Sequence, residues 1–272
     1  MLLLTLFACE TNALRTLDTC DTTIAAEAPD FFQLYRCVDV TVTGDEVALA
    51  SIGLPPHPSP YYPETSENWE AFDDRGGDWF QNPNEIAQQA ITVTVPLEPV
   101  AKGLTITDAM VDLSAGTSDD EYNGGNVGIA LDGVMLFAAM AAPGDDIAEE
   151  KYTFDLWEGH PQNTGVYHHH SANPGGLAVL EAAGWTTSTV PGEAEIELYG
   201  IMCDGTVVLG CTELDGSAPA ADLDAQAGHV HDLVNTDGDT WFTERYHTHM
   251  CDALSAHVYT PEIQYYEGCA AL

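Results

Sequence analysis

The stretch Gly128-Ile129-Ala130-Leu131-Asp132-Gly133 decides the fold, because it returns as Gly200-Ile201-Met202-Cys203-Asp204-Gly205. Both read G-I-x-x-D-G. A second shared element follows each: Asp155 stands before Gly159-His160, and Asp224 before Gly228-His229, with identical D-x-x-x-G-H spacing. A third comes after it, Tyr167-His168-His169-His170 and Tyr246-His247-Thr248-His249, both Y-H-x-H. Three elements in the same order, twice, define a duplicated unit with pseudo-repeats at 127–171 and 199–250.

Outward from the repeats the chain reads as strands. Val38-Asp39-Val40-Thr41-Val42-Thr43 alternates with period two and runs into the turn Gly44-Asp45. Ala90-Ile91-Thr92-Val93-Thr94-Val95 is a second alternating run, stopped by Pro96, and Glu195-Ile196-Glu197-Leu198-Tyr199 a third. The apolar runs at 127–137 and 206–209 suit more deeply buried strands. Helical patterns are short, the best at 84–89 and 177–183. With 15 Pro and 24 Gly punctuating the chain, the expected fold class is mainly β, with antiparallel sheets and long irregular loops built around the duplicated unit.

The repeats gather histidine. Of ten in the chain, only His57 and His257 lie outside them. In a strand, residues i and i+2 share a face. His168 and His170 therefore point the same way, about 7 Å apart at Cα, as do His247 and His249. The upstream His160 or His229 supplies a third imidazole, aimed by a turn at the preceding glycine. Three nitrogens of this kind suit zinc or copper. The expected metal ligands are thus His160, His168, His170, His229, His247 and His249, in one shared site or two. Asp155 and Asp224 would be ligands or would fix an imidazole tautomer. Tyr167 and Tyr246 would face the other way, into the core. His231 makes an extra H-x-H with His229, and His169 is expected to be exposed. The acidic loops, 235–239 (NTDGD) above all, offer oxygen to calcium without the spacing of an EF-hand.

Composition sets the boundaries. The 272 residues include 44 Asp+Glu and 6 Lys+Arg, for a formal charge of -38. Such a chain has no cationic footprint for nucleic acid and is repelled by anionic membranes. Its 45% hydrophobic content supports a core rather than disorder. Residues 1–8 (MLLLTLFA) are apolar and precede Cys9, and Leu6-Phe7-Ala8-Cys9 resembles a lipobox. The expected organisation is a lipoprotein-type signal at 1–9, a tether and N-terminal segment at 10–37, and a β domain at 38–272. With Cys9 set aside for lipid, Cys20, Cys37, Cys203, Cys211, Cys251 and Cys269 remain, an even set that suits three disulfides outside the cytoplasm. Nearest-neighbour pairing (Cys20–Cys37, Cys203–Cys211, Cys251–Cys269) is the simplest of the possible connectivities.

The chain resembles the YHYH-domain family of exported, mostly bacterial proteins, named for the tetrapeptide. The residues that carry the resemblance are 128–133, Gly159-His160-Pro161 and both Y-H-x-H elements. Gly53-Leu54-Pro55-Pro56-His57, Asn82-Pro83-Asn84 with the strand at 92–96, and the stretch from Tyr259-Thr260-Pro261 to Gly268-Cys269 extend it over about residues 45–270. It departs from the family at His169 and Thr248, where tyrosine is usual, and at 200–206, which marks a divergent branch. The resemblance implies export and adds His57 to the candidate site; it brings no established activity. The reading is an exported, lipid-anchored copper- or zinc-binding protein, periplasmic or at the cell surface, or secreted if Cys9 is not lipidated. It would touch the membrane through its lipid alone and bind no nucleic acid. The alternatives are a metal-dependent hydrolase or oxidoreductase, and a structural or surface-interaction lipoprotein without metal.

Overall fold

The computed structural model describes residues 13–111, 120–141, 146–253 and 258–269. Cys9 and the signal at 1–9 lie outside the described residues, as do His257, Ser118, Asp119 and Asp145. The strands are β1 (Thr23–Ile24), β2 (Asp39–Thr43), β3 (Glu46–Ser51), β4 (Ile91–Pro96), β5 (Asn126–Ala130), β6 (Met135–Phe137), β7 (Gly159–Pro161), β8 (Tyr167–His169), β9 (Leu198–Met202), β10 (Val207–Leu209), β11 (Gly228–Val234) and β12 (Thr240–His249). Two short helices, α1 (Ile147–Glu150) and α2 (Pro174–Ala182), join them. Among the described residues no helix is long and apolar enough to cross a membrane.

The fold is mainly β, in two sheets. The smaller runs β1-β2-β3-β4; the larger runs β11-β12-β10-β9-β5-β6-β8-β7. That larger order has the same form from either edge. β5 and β9 pair at its centre, β6 and β10 lie outside them, then β8 and β12, then β7 and β11. The central pairing is symmetric about Ile129↔Ile201, with Gly128↔Met202 on one side and Ala130↔Gly200 on the other. A Cβ on Gly128 would stand 2.7 Å from the Ile201 carbonyl oxygen, and one on Gly200 would collide with that of Ile129. The first glycine of G-I-x-x-D-G thus permits the close approach of the two central strands. The aspartate closes the turn that follows: Asp132 Oδ1 accepts from Val134 N at 3.2 Å, and Asp204 Oδ1 from Thr206 N at 2.9 Å.

The sheets are mixed rather than antiparallel throughout. β1–β2, β6–β8 and β10–β12 are parallel pairs. In the large sheet the cause is the same in both halves. The chain leaves β6 or β10 by a loop, forms the hairpin β7–β8 or β11–β12, and the hairpin's second strand returns beside the one just left.

Residues 13–37 are packed rather than a tether. β1 adds to β2, and Phe31, Phe32 and Leu34 enter the core. The expected helix at 84–89 is irregular, because its N–H groups go to three distant carbonyls: Ile86 to Tyr61, Ala87 to Gly165 and Gln89 to Ile52. The expected helix at 177–183 overlaps α2, which starts three residues earlier, ends with Ala183 as its C-cap, and is capped at its start by Asn173 accepting from Gly176 N at 3.1 Å.

Six cysteines form three disulfides: Cys20–Cys37, Cys203–Cys269 and Cys211–Cys251. Nearest-neighbour pairing is correct only for the first. β10 and β12 run parallel with Leu209 beside His249, so two residues further on Cys211 meets Cys251. Cys203, on the turn after β9, is left to the C-terminal Cys269.

Candidate metal centres

The six histidines expected as ligands form two clusters, not one. His160 (β7), His168 (β8) and His170, just past β8, meet at one end of the large sheet. His229 (β11), His247 and His249 (β12) meet at the other. All six are buried.

In the first cluster the Nε2 atoms converge: His160 to His168 at 3.0 Å and His168 to His170 at 3.0 Å. The partners of Nδ1 decide what those contacts mean. His168 Nδ1 stands 3.0 Å from the Val166 carbonyl, and His170 Nδ1 2.8 Å from that of Ala138. A carbonyl only accepts, so each Nδ1 must carry the proton. His160 Nδ1 lies between Thr153 Oγ1 at 2.6 Å and the side-chain amide nitrogen of Asn82 at 3.3 Å; the first can accept from it and the second only donates, so its neighbours admit either tautomer. The Nε2 atoms of His168 and His170 are then lone pairs that face each other at 3.0 Å. Burial holds His160 and His168 well below the ordinary imidazole range, and His170 at about 4, so a proton does not relieve the arrangement at neutral pH. A metal ion would. Tetrahedral ligands at the usual zinc–nitrogen distance stand about 3.3 Å apart. Phe137 stacks on His168 at 3.6 Å between centroids, and Phe154 packs against His160 and His170.

The second cluster repeats the pattern with a carboxylate at its centre. His247 Nδ1 lies 2.9 Å from the Arg245 carbonyl and His249 Nδ1 2.8 Å from that of Gly210. His229 Nδ1 is 3.0 Å from Asp222 Oδ1. The three Nε2 atoms surround Glu213, at 3.1 Å from His229, 3.2 Å from His247 and 3.5 Å from His249. The His247 contact lacks hydrogen-bond geometry, and that buried nitrogen has no hydrogen-bond partner among the described residues. Burial raises the Glu213 carboxyl, but its contacts with the three imidazoles outweigh this and hold it far below the usual range. Burial likewise lowers His229, and its two carboxylate neighbours more than reverse that.

A family model described as YHYH protein matches residues 113–235. The match supports membership of the YHYH family. It takes in the first cluster, Glu213 and His229, and ends before the second Y-H-x-H. No curated protein and no solved structure matches the chain.

The Y-H-x-H tetrapeptide works on both faces of its strand. The histidines reach the clusters; the tyrosine reaches the opposite way. Tyr167 donates to Asp155 at 2.8 Å, and Tyr246 to Asp224 at 2.7 Å. Asp155 also accepts from Ser59 Oγ at 2.6 Å and Trp157 N at 2.9 Å; Asp224 accepts from Gln226 N at 3.0 Å and Gly228 N at 2.9 Å. Neither aspartate stands at an imidazole as the spacing suggested; each ties the tyrosine to the turn before the third histidine. The glycine of G-H has a different part from the one expected. The left-handed residues of these turns are Glu158 and Ala227, one position earlier. Gly159 and Gly228 make room for the tyrosine instead: a Cβ on Gly159 would sit 2.5 Å from the Tyr167 ring, and one on Gly228 would collide with the Tyr246 hydroxyl.

His169 is buried rather than exposed, with Nδ1 on the Glu158 carbonyl at 2.9 Å. His57 stacks on Trp157 at 4.1 Å, outside both clusters. His231 is exposed, packs edge-on against the His229 ring at 4.5 Å between centroids and meets Asp222 Oδ2 at 3.1 Å; with Asp222 and His229 it makes a third group whose ligand atoms lie within 4.8 Å of one another. The 235–239 loop is a hairpin turn. Asn235 Oδ1 accepts from Asp237 N and Asp239 N at 3.0 and 2.8 Å. Glu213, Asp222 and Thr153 belong to no repeated motif and were invisible to spacing; among 44 acidic residues nothing marks Glu213.

Proposed function

We propose that this is an extracytoplasmic metal-binding protein, held to the membrane by lipid at Cys9, whose two histidine clusters bind copper or zinc. The observation that carries the reading is the convergence of three buried imidazole Nε2 atoms in each cluster, with the lone pairs of His168 and His170 fixed by Nδ1–H donation to carbonyls in the first. Without an ion those lone pairs repel; with one they become ligands. The three disulfides support an oxidising location. Glu213 stands where a fourth ligand would, which favours a closed binding site over a hydrolytic centre with an open position. Metal analysis of protein purified without a histidine tag, after expression with copper and zinc available, tests the reading. At least about one ion per chain is expected; less than about 0.2 would overturn it.

A further inference from the structure

The two clusters differ in one respect that their shared pattern hides. The first presents three neutral imidazoles in an aromatic box: Phe137 stacked on His168, Phe154 against His160 and His170. Their Nδ1 partners are uncharged: two carbonyls, a hydroxyl and the Asn82 amide. The nearest carboxylate, Glu150, stands 3.5 Å from His160 Nε2 and is not in the set of ligand atoms mutually within 4.8 Å. In the second cluster Glu213 belongs to that set and touches all three imidazoles, and Asp222 backs His229.

Charge then separates the ions each can hold. The cost of burying an ion rises with the square of its charge, so a divalent ion costs about four times as much as a monovalent one of equal radius. Three neutral ligands leave that charge to be offset by Glu150 alone, which stands at one imidazole and outside the ligand set. A monovalent copper ion in the first cluster carries a net charge of about +1; a divalent ion beside Glu213 carries the same. The second cluster also supplies the four donors that tetrahedral zinc requires, whereas the first supplies three.

We propose, on the basis of the metal-binding reading above, that the clusters are inequivalent: His160, His168 and His170 take cuprous ion, while Glu213, His229, His247 and His249 take a divalent ion such as zinc. The test is a competition titration of the full chain, stripped of metal with its disulfides intact. Cu(I) is delivered anaerobically against a chromophoric Cu(I) chelator, and Zn(II) against a zinc indicator. The wild type should hold one of each at once. His168→Gln should lose Cu(I) and keep Zn(II), and His247→Gln the reverse. Glu213→Gln should weaken zinc by about tenfold or more and leave Cu(I) unchanged, and Glu150→Gln should leave both unchanged. Should the histidine variants fail to fold, the wild-type stoichiometry and the two glutamate variants decide. Two zinc ions of similar affinity, or loss of Cu(I) binding in Glu150→Gln, would overturn the inequivalence and leave metal binding standing. Failure of the wild type to bind either ion would remove the metal-binding reading itself.

Discussion

Asp132 shows how a single buried carboxyl sets a pH dependence. Its Oδ1 accepts from Val134 N, while Oδ2 has no hydrogen-bond partner among the described residues and lies against Gly175. Burial pushes it up to about 6. Because the folded value lies above the unfolded one, the folded chain keeps a proton that the unfolded chain gives up. The resulting stability is complete below the unfolded value and is lost as pH rises through about 6. The loss is about 2–3 kcal/mol. Urea midpoints in chelator from pH 4 to 7 should therefore fall with pH more steeply in the wild type than in Asp132→Asn; equal slopes would contradict this. At this scale the sequence was legible where chemistry and periodicity coincide. Six histidines on two Y-H-x-H faces and their G-H partners can be named from spacing alone. Glu213 cannot, because it reaches the cluster from a loop whose position depends on how β10 and β12 pair.

At the scale of elements, the β10–β12 pairing places the second cluster. Their register carries Cys211 to Cys251, and Glu213 follows two residues later. The disulfide therefore pins the turn that bears Glu213 to the strand that bears His247 and His249. Replacing both cysteines by serine frees a loop with a sequence separation of 40, at a chain-entropy cost of about 4 kcal/mol. Urea denaturation should register that loss, and titrations should show weakened zinc binding at the second cluster with Cu(I) binding at the first unchanged. Equal weakening at both would contradict the local role given to the bridge. Strands with one buried face, β2 and β4, were legible because their alternation is plain. β9 begins three residues later than the alternation at 195–199 suggests: Glu197 is buried as an acceptor for Gly192 N and Cys211 N, so its apparent outward position was misleading. The parallel pairs and two of the disulfides depend on the return path of each hairpin, which local pattern does not encode.

For the whole molecule, the charge of -38 draws cations of every kind toward the surface and distinguishes none of them. Base is scarce, and part of it serves the backbone. Arg36 donates to the carbonyls of Gln33, Leu34 and Tyr35, and Arg245 to those of Gly205 and Leu97. Selectivity then falls to the two buried clusters at opposite ends of the eight-stranded sheet. The most direct test is X-ray absorption at the zinc edge of the zinc-loaded protein, purified without a histidine tag. The account predicts about three imidazole nitrogens and one carboxylate oxygen at ~2.0–2.1 Å, with the outer-shell scattering of imidazole rings. A shell of oxygen alone, without that scattering, would contradict it.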